Sequence, residues 1–315
     1  MVKNQILQNI VSNVEKVIVG KRDVLERVLV CLISGGHLLI EDIPGTGKTL
    51  MVQSIAKSIN CSFRRIQFTP DLLPSDITGI SVYNQKLGEF EFKQGPVMSN
   101  MILADEINRT SPKTQSSLLE VMSENQVTCD GTTYRVKSPF MVFATQNPVE
   151  YEGTFPLPEA QLDRFMMKIN MGYPSEENEL LMMHIYKNDS PMNSIGPVAE
   201  PEDIEEIKNN VKNIYIDEKL EKYILSIIRE TREREEFLLG ASPRATLGLY
   251  RASQSRAFMY GREYSIPDDV KAVVKQVVCH RTILKPEWKL KGITSEEIVD
   301  DIVKKLPIPG MGKYA

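Results

Sequence analysis

The sequence predicts an α/β domain built on a parallel sheet, followed by an all-helical domain. Up to about Gly172, five short β-rich runs, "HLLIE", "FRRIQF", "MILAD", "FMVFAT" and "FMMKI", alternate with segments of helical periodicity. That alternation is the signature of a parallel sheet with helices on both faces. From Ser175 onward such runs stop, and helical segments are separated by proline-marked breaks such as "GASPR", "SIPDD" and "LKPEW". The 315 residues, 42% hydrophobic and 25% charged, are enough for two cores rather than one. The expected domains are therefore residues 1–173 and 174–315.

The first run ends at Glu41. Beyond the loop that follows it, apolar residues at Leu50, Val52, Ile55, Ala56 and Ile59 predict an amphipathic helix starting near Lys48. The intervening "DIPGTGKT" thus joins a strand to a helix N-terminus. Unpaired N–H groups and the positive end of the helix dipole favour an anion there, and Gly45 and Gly47, flanking Thr46 and preceded by Pro44, let the backbone close around it. Lys48 is placed to reach the terminal phosphates of a nucleotide and Thr49 to offer its hydroxyl to Mg²⁺, with Leu50 following in the first helical turn. Asp42 stands where the phosphate-loop pattern has its first glycine. At the strand exit it is expected to cap the turn.

Two stretches interrupt the alternation. "GISVYNQKLGEFEFKQGP" carries β-type residues on either side of Gly88, and "NQVTCDGTTYRVKSP" does the same around Asp130-Gly131, a dipeptide suited to a tight turn. Both predict inserted hairpins. Between them, "MILADE" ends in two carboxylates, which a parallel sheet brings to the same edge as the loop. Asp105 is then placed to hold Mg²⁺ through its water shell and Glu106 to polarise an attacking water. Ser111 and Pro112 mark the start of the next helix. "FMVFAT" runs into Asn147 at that same edge, where the side chain could orient water or touch a γ-phosphate.

Two arginines complete the candidates. Arg164 immediately precedes "FMMKI", with a salt bridge to Asp163 or Glu159 as the plainer reading. Arg244 falls in the first turn of a helix capped by Ser242, where a cation is electrostatically misplaced unless an anion faces it. Elsewhere the residues are ordinary. With 38 basic and 42 acidic side chains and a net charge of −4, no global cationic field exists to gather nucleic acid. Cys31, Cys61, Cys129 and Cys279 are scattered without a C-x-x-C pair and are expected as buried small hydrophobes in the cytoplasm. His37, His184 and His280 share no metal-ligand spacing and are expected as structural, unpaired residues. The longest apolar stretch is too short to span a bilayer.

Over nearly its whole length the chain resembles the MoxR group of AAA+ ATPases. The matching text is "IVGKRDVLERVL", "HLLIEDIPGTGKT" (Walker A), "ILADEINRTSPKTQSSLLEVMSE" (Walker B), "FATQNPVEYEGTFPLPEAQLDRF" (sensor 1 through arginine finger) and "GASPRATLGLYRASQSRAF" (sensor 2). The resemblance implies a P-loop AAA+ core with a five-stranded parallel sheet, a helix-2 insert hairpin and a pre-sensor-1 hairpin, then a helical lid. It implies ATP and Mg²⁺ as ligands, with Lys48 and Thr49 on nucleotide and metal, Asp105 and Glu106 on metal and catalysis, Asn147 as sensor 1, Arg164 as a finger acting on a neighbour and Arg244 as sensor 2, in cis or in trans. Val19 and Gly20 would lie near the adenine. A hexameric ring, chaperone-like remodelling and partners with a von Willebrand factor A domain are the implied context. The alternative is a nucleic-acid motor, for which Tyr83, Phe90, Phe92 and Tyr134, interleaved with Lys86, Lys93, Arg135 and Lys137, could stack bases. The same residues equally suit ordinary strands with one apolar and one solvated face.

Overall fold

Helices Val2–Val14 and Arg22–Ile33 lead into the first strand of the protein, whose computed structural model describes residues 2–147, 154–187 and 190–310. The core strands are β1 (Leu38–Glu41) and β2 (Phe63–Gln67), with the P-loop helix Lys48–Ser58 between them. An inserted hairpin follows, β3 (Gly79–Asn84) and β4 (Glu89–Gln94), and then β5 (Met101–Asp105) and helix Pro112–Glu124. A second hairpin, β6 (Gln126–Cys129) and β7 (Thr132–Arg135), precedes β8 (Met141–Gln146) and β9 (Met167–Ile169). The five-stranded sheet has the order β2-β5-β8-β1-β9, with every pairing parallel. All five β-rich runs of the sequence are the strands of this sheet. Asp130 and Gly131 take φ values of 48° and 76° in the second hairpin's turn, the left-handed pair such a turn requires.

Side chains of successive strand residues point to opposite faces, and the core divides accordingly. Leu38, Ile40, Leu103, Met141 and Phe143 belong to one buried cluster, which continues through both N-terminal helices and into lid residues such as Ile227, Leu249 and Val273. Leu39, Ile102, Ala104, Val142 and Ala144 belong to another, against helix Pro112–Glu124 and the hairpins. Two cores exist among the described residues, but they are separated by the sheet and not by the domain boundary. The expectation of one core per domain fails because the lid packs onto a face of the sheet that the N-terminal helices leave partly uncovered.

The lid is helical, with helices Glu176–Ile185, Pro201–Val211, Glu218–Glu233, Pro243–Met259, Pro267–Val278 and Ser295–Lys305. Several begin with proline, whose missing N–H costs nothing in the first turn. It is not all-helical: β10 (Phe237–Leu239) and β11 (Ile283–Leu284) form a small antiparallel ribbon. Strands of three and two residues are too short to show period-two alternation. Among the described residues no helix is long and apolar enough to cross a membrane. Cys31 and Cys279 are buried as expected, whereas Cys61 and Cys129 are only half-buried.

His37, at the entry to β1, is a buried crosslink, which corrects its expected lack of partners. Its Nδ1 accepts the Val142 N–H at 3.0 Å, so Nε2 carries the proton and donates to the Met122 carbonyl at 2.9 Å. Burial pulls its pKa from the usual 6.5 down to about 4, against the Met122 carbonyl, which raises it, and with a smaller push from Lys208. The neutral ring therefore belongs to the folded state. Its contribution to stability is complete above about pH 6.5 and is lost as the pH falls toward 4, on the order of 3 kcal/mol in all. His280 is also pushed down by burial, so the expected observation is a difference. In urea unfolding between pH 7 and 4, a His37→Gln variant should lose less stability on acidification than the wild type.

Candidate functional site

The P-loop helix begins at Lys48, with Gly47 as its cap at φ 88° and Gly45 at φ 83°. Both angles lie in the left-handed region, where a side chain is strained. Nothing stands within 4 Å of where a Gly45 Cβ would project, and only the tip of Ile18 comes to 4.0 Å of one on Gly47. The turn is open toward a cavity of about 370 Å³. Pro44, Thr46, Thr49 and Leu50 line this cavity with the two glycines and Lys48. The Lys48 ammonium is folded onto the loop, donating to the carbonyls of Ile43 at 2.7 Å and Asp42 at 3.2 Å.

Asp42 does more than cap the turn. It is 4% exposed; Oδ1 accepts the Ile43 N–H at 2.8 Å, and Oδ2 accepts those of Met171 and Gly172, both at 2.9 Å. One buried carboxylate thus joins the phosphate loop to the chain leaving β9. Lys21 closes the same junction from the other side, donating to the carbonyls of Met171 and Tyr173. Gly20 (φ 69°) is pressed against Asn178, whose amide would lie 2.1 Å from a Cβ there. Val19 is buried beside it. Neither Val19 nor Gly20 lines the cavity itself; Ile18, next to them, is their link to Gly47.

The carboxylates arrive on the opposite wall. Gln67 pairs with Asp105 across β2 and β5, and Glu41 with Gln146 across β1 and β8, so the strand ends form one edge. Asp105, Glu106 and Asn147 line the same cavity as Lys48 and Thr49. The Thr145 hydroxyl lies between the two acids, donating to Asp105 Oδ1 at 2.6 Å and accepting the Glu106 N–H at 2.8 Å. Arg65 donates through Nε to Asp105 Oδ2 at 3.0 Å. The Glu106 carboxylate is held by Gln67 at 2.8 Å and Arg109 at 2.9 Å. Glu106 has φ 57° and ψ 49°, an uncommon left-handed conformation for a residue that is neither glycine nor asparagine. Such an outlier at a cavity wall points to a functional constraint.

Arg65, Gln67, Arg109 and Thr145 were missed in the sequence. Gln67 and Thr145 lie at the ends of β2 and β8, with Arg65 two residues before the end of β2, and the signal was available: in a parallel sheet the last residues of every strand share the loop's edge. The remaining candidates lie elsewhere. Arg164 does not line the cavity, and its guanidinium donates to the Leu119 carbonyl at 2.8 Å and to Ser123. The expected bridge to Asp163 or Glu159 is not formed. Asp163 instead accepts from Arg281 and Ser242 and is the anion facing Arg244, 3.8 Å away. The stretch 148–153, between sensor 1 and the finger, lies outside the described residues.

The donor set fits a triphosphate and a hard cation. An open backbone turn, a lysine and a helix N-terminus meet hydroxyl and carboxylate oxygens across one cavity, and oxygen donors of this kind suit magnesium. The model of the ATPase family associated with various cellular activities (AAA) matches residues 37–167, and that of the AAA lid domain matches residues 229–302. The Bacillus subtilis protein YeaC is 49% identical over 304 residues, covering 96% of this chain and 95% of the relative. Chaperone MoxR1 of Mycobacterium tuberculosis is 41% identical over 312 residues, covering 96% and 82%. A crystal structure of a candidate ATPase from Cytophaga hutchinsonii superposes with a TM-score of 0.92 at 44% identity, covering 98% of this chain and 96% of that one.

Asp42→Ala would strand three backbone N–H groups in a buried place, at about 1 to 3 kcal/mol each when no water replaces the carboxylate. The expected loss in urea unfolding is at least about 3 kcal/mol, with Asp42→Asn, which keeps an acceptor, losing clearly less. Equal loss in the two variants would show that the carboxylate's hydrogen bonds are not what anchors the loop.

Proposed function

Because the chain belongs to the MoxR family of AAA+ ATPases, we propose that it hydrolyses ATP in a ring and uses the cycle to remodel partner proteins. The observation that carries the reading is the convergence of the Lys48–Thr49 turn with Asp105, Glu106 and Asn147 on one cavity at the sheet edge. The loop amides and Lys48 hold the phosphates, Lys48 exchanging its two carbonyl partners for phosphate oxygens. Thr49 and Asp105 would hold magnesium. Magnesium, when bound, neutralises charge on the phosphate oxygens. Glu106, released from Gln67 and Arg109, takes the proton of the attacking water, which Asn147 orients. Val19 and Gly20 border the adenine, a role supported by the nearness of Ile18 to Gly47.

Arg164 and Arg244 act on the nucleotide of a neighbouring subunit. In support, neither lines its own cavity, and both flank Asp163 on another part of the surface. A finger supplied in trans stabilises transition-state charge that the isolated subunit leaves uncompensated. The hexamer and a von Willebrand factor A domain partner are family expectations that this reading adopts. The first hairpin supports contact with polypeptide: Tyr83 (52% exposed), Leu87 and Phe90 (72%) form an apolar tip, which soluble proteins seldom leave uncovered without use. The nucleic-acid alternative is not favoured. Phe92 and Tyr134, two of its four stacking residues, stack on each other at 4.1 Å and tie the hairpins together.

Two outcomes are expected. Glu106→Gln should bind magnesium ATP in titration calorimetry like the wild type while phosphate release falls by about 10²-fold or more. Arg164→Ala should bind normally but lose turnover per assembled subunit by about 10³-fold, the scale of a trans finger. Unchanged turnover in the second variant would refute action in trans. Recovery of nucleic acid instead of protein on a Glu106→Gln trap loaded with ATP would reverse the choice of partner.

A further inference from the structure

Arg281 belongs to none of the motifs above. It ends the short turn Cys279–Arg281 after lid helix Pro267–Val278, and its side chain is 3% exposed. Almost every donor of this buried guanidinium is directed at the segment that carries Arg164. Nε donates to Asp163 Oδ1 at 2.9 Å, Nη2 to the carbonyls of Phe165 at 2.7 Å and Asp163 at 3.3 Å, and Nη1 to that of Met166 at 3.0 Å. Nη1 also reaches the Val277 carbonyl of its own helix. A rigid planar fork spanning a carboxylate and three carbonyls fixes both the position and the direction of residues 163–166.

The clamp extends to Arg244. The carboxylate of Asp163 accepts the Ser242 hydroxyl at 2.8 Å, and Ser242 in turn accepts the Arg244 N–H at 3.1 Å as the cap of helix Pro243–Met259. Arg164 is the next residue along the chain from Asp163. The backbone entering Arg164 and the cap of the helix that carries Arg244 are therefore joined through one carboxylate, and that carboxylate is held from beneath by a lid residue. Without the clamp the backbone of residues 163–166 could shift beneath Arg164, whose guanidinium reaches Leu119 and Ser123 on a different element, and a displacement of about 1 Å in a reacting constellation can cost on the order of 10²-fold in rate.

We propose that Arg281 is a positioning residue for ATP hydrolysis: through Asp163 it binds the segment that carries Arg164 to the lid helix that carries Arg244, so that the two arginines are presented as one body, in a set geometry, to the neighbouring subunit. The inference rests on the trans reading of Arg164 given above. It adds that any movement of a subunit's lid is delivered directly to the site next door.

Mixed rings separate the two ideas. Glu106→Gln subunits cannot turn over their own nucleotide but can lend a finger, and Arg164→Ala subunits retain a complete cavity but lack one. Mixing them should restore phosphate release; absence of rescue overturns the trans reading and this inference with it. With rescue in hand, the lender is replaced by Glu106→Gln/Arg281→Lys. Rescue should then fall by roughly tenfold or more, while the lender's own ATP affinity and its co-assembly, by calorimetry and sedimentation, stay within about twofold. In a ring with Glu106 intact, Arg281→Lys should lower kcat and leave KM for ATP nearly unchanged. Full rescue by the Arg281→Lys lender overturns the proposal. So does a fall in rescue that merely parallels lost ATP binding or lost assembly in both Arg281→Lys and the milder Asp163→Asn lender.

Discussion

A buried carboxylate at the exit of β1 is the constraint from which the nucleotide-site geometry follows. Asp42 is removed from water, and a charge in that position is tolerable only when hydrogen bonds replace its hydration. Three backbone N–H groups do so, one in the phosphate loop and two where the chain turns from the sheet toward the lid. Glycine, the usual occupant of this place in a phosphate loop, would leave Met171 and Gly172 without an acceptor. The departure from the common pattern is thus a structural device: it locks the loop, the segment around Lys21 and the start of the lid to one another.

Opposite this anchor, the sheet edge sets the electrostatics. Asp105 and Glu106 are consecutive acids whose mutual repulsion is offset in different ways. Arg65 and the Thr145 hydroxyl serve Asp105, and Gln67 and Arg109 serve Glu106. The left-handed backbone at Glu106 turns the two side chains to separate partners where an extended strand would have pointed them to opposite faces. Thr145 keeps both in register from the neighbouring strand.

The outer parts of the molecule are organised by the same logic of shared partners. Phe92 and Tyr134 join two hairpins from distant parts of the sequence, leaving Tyr83 and Phe90 in contact with each other at 5.3 Å and open to solvent. Asp163 joins the segment entering β9 to two different lid segments. With the hydrophobic cluster that runs unbroken from the N-terminal helices into the lid, these links leave few places where the two halves could move independently.

The sequence by itself determined the five strands of the core sheet, the turn between β1 and the P-loop helix, both hairpins, the caps at Ser111 and Ser242 and, among the residues lining the cavity, Lys48, Thr49, Asp105, Glu106 and Asn147. These are properties of short stretches, fixed by side-chain periodicity, by glycine at positive φ and by prolines at helix starts. Only the tertiary structure decided which residues meet. It divided the core by sheet face and not by domain, because the lid buries its apolar surface on the sheet. It added Arg65, Gln67 and Thr145 to the site, because strand order, which no local pattern encodes, lines β2 and β8 on either side of Asp105. It gave Arg244 a protein carboxylate for its anion and set Arg281 against the same carboxylate, since polar contacts between residues about 80 and 118 positions apart leave no trace in the spacing of either partner.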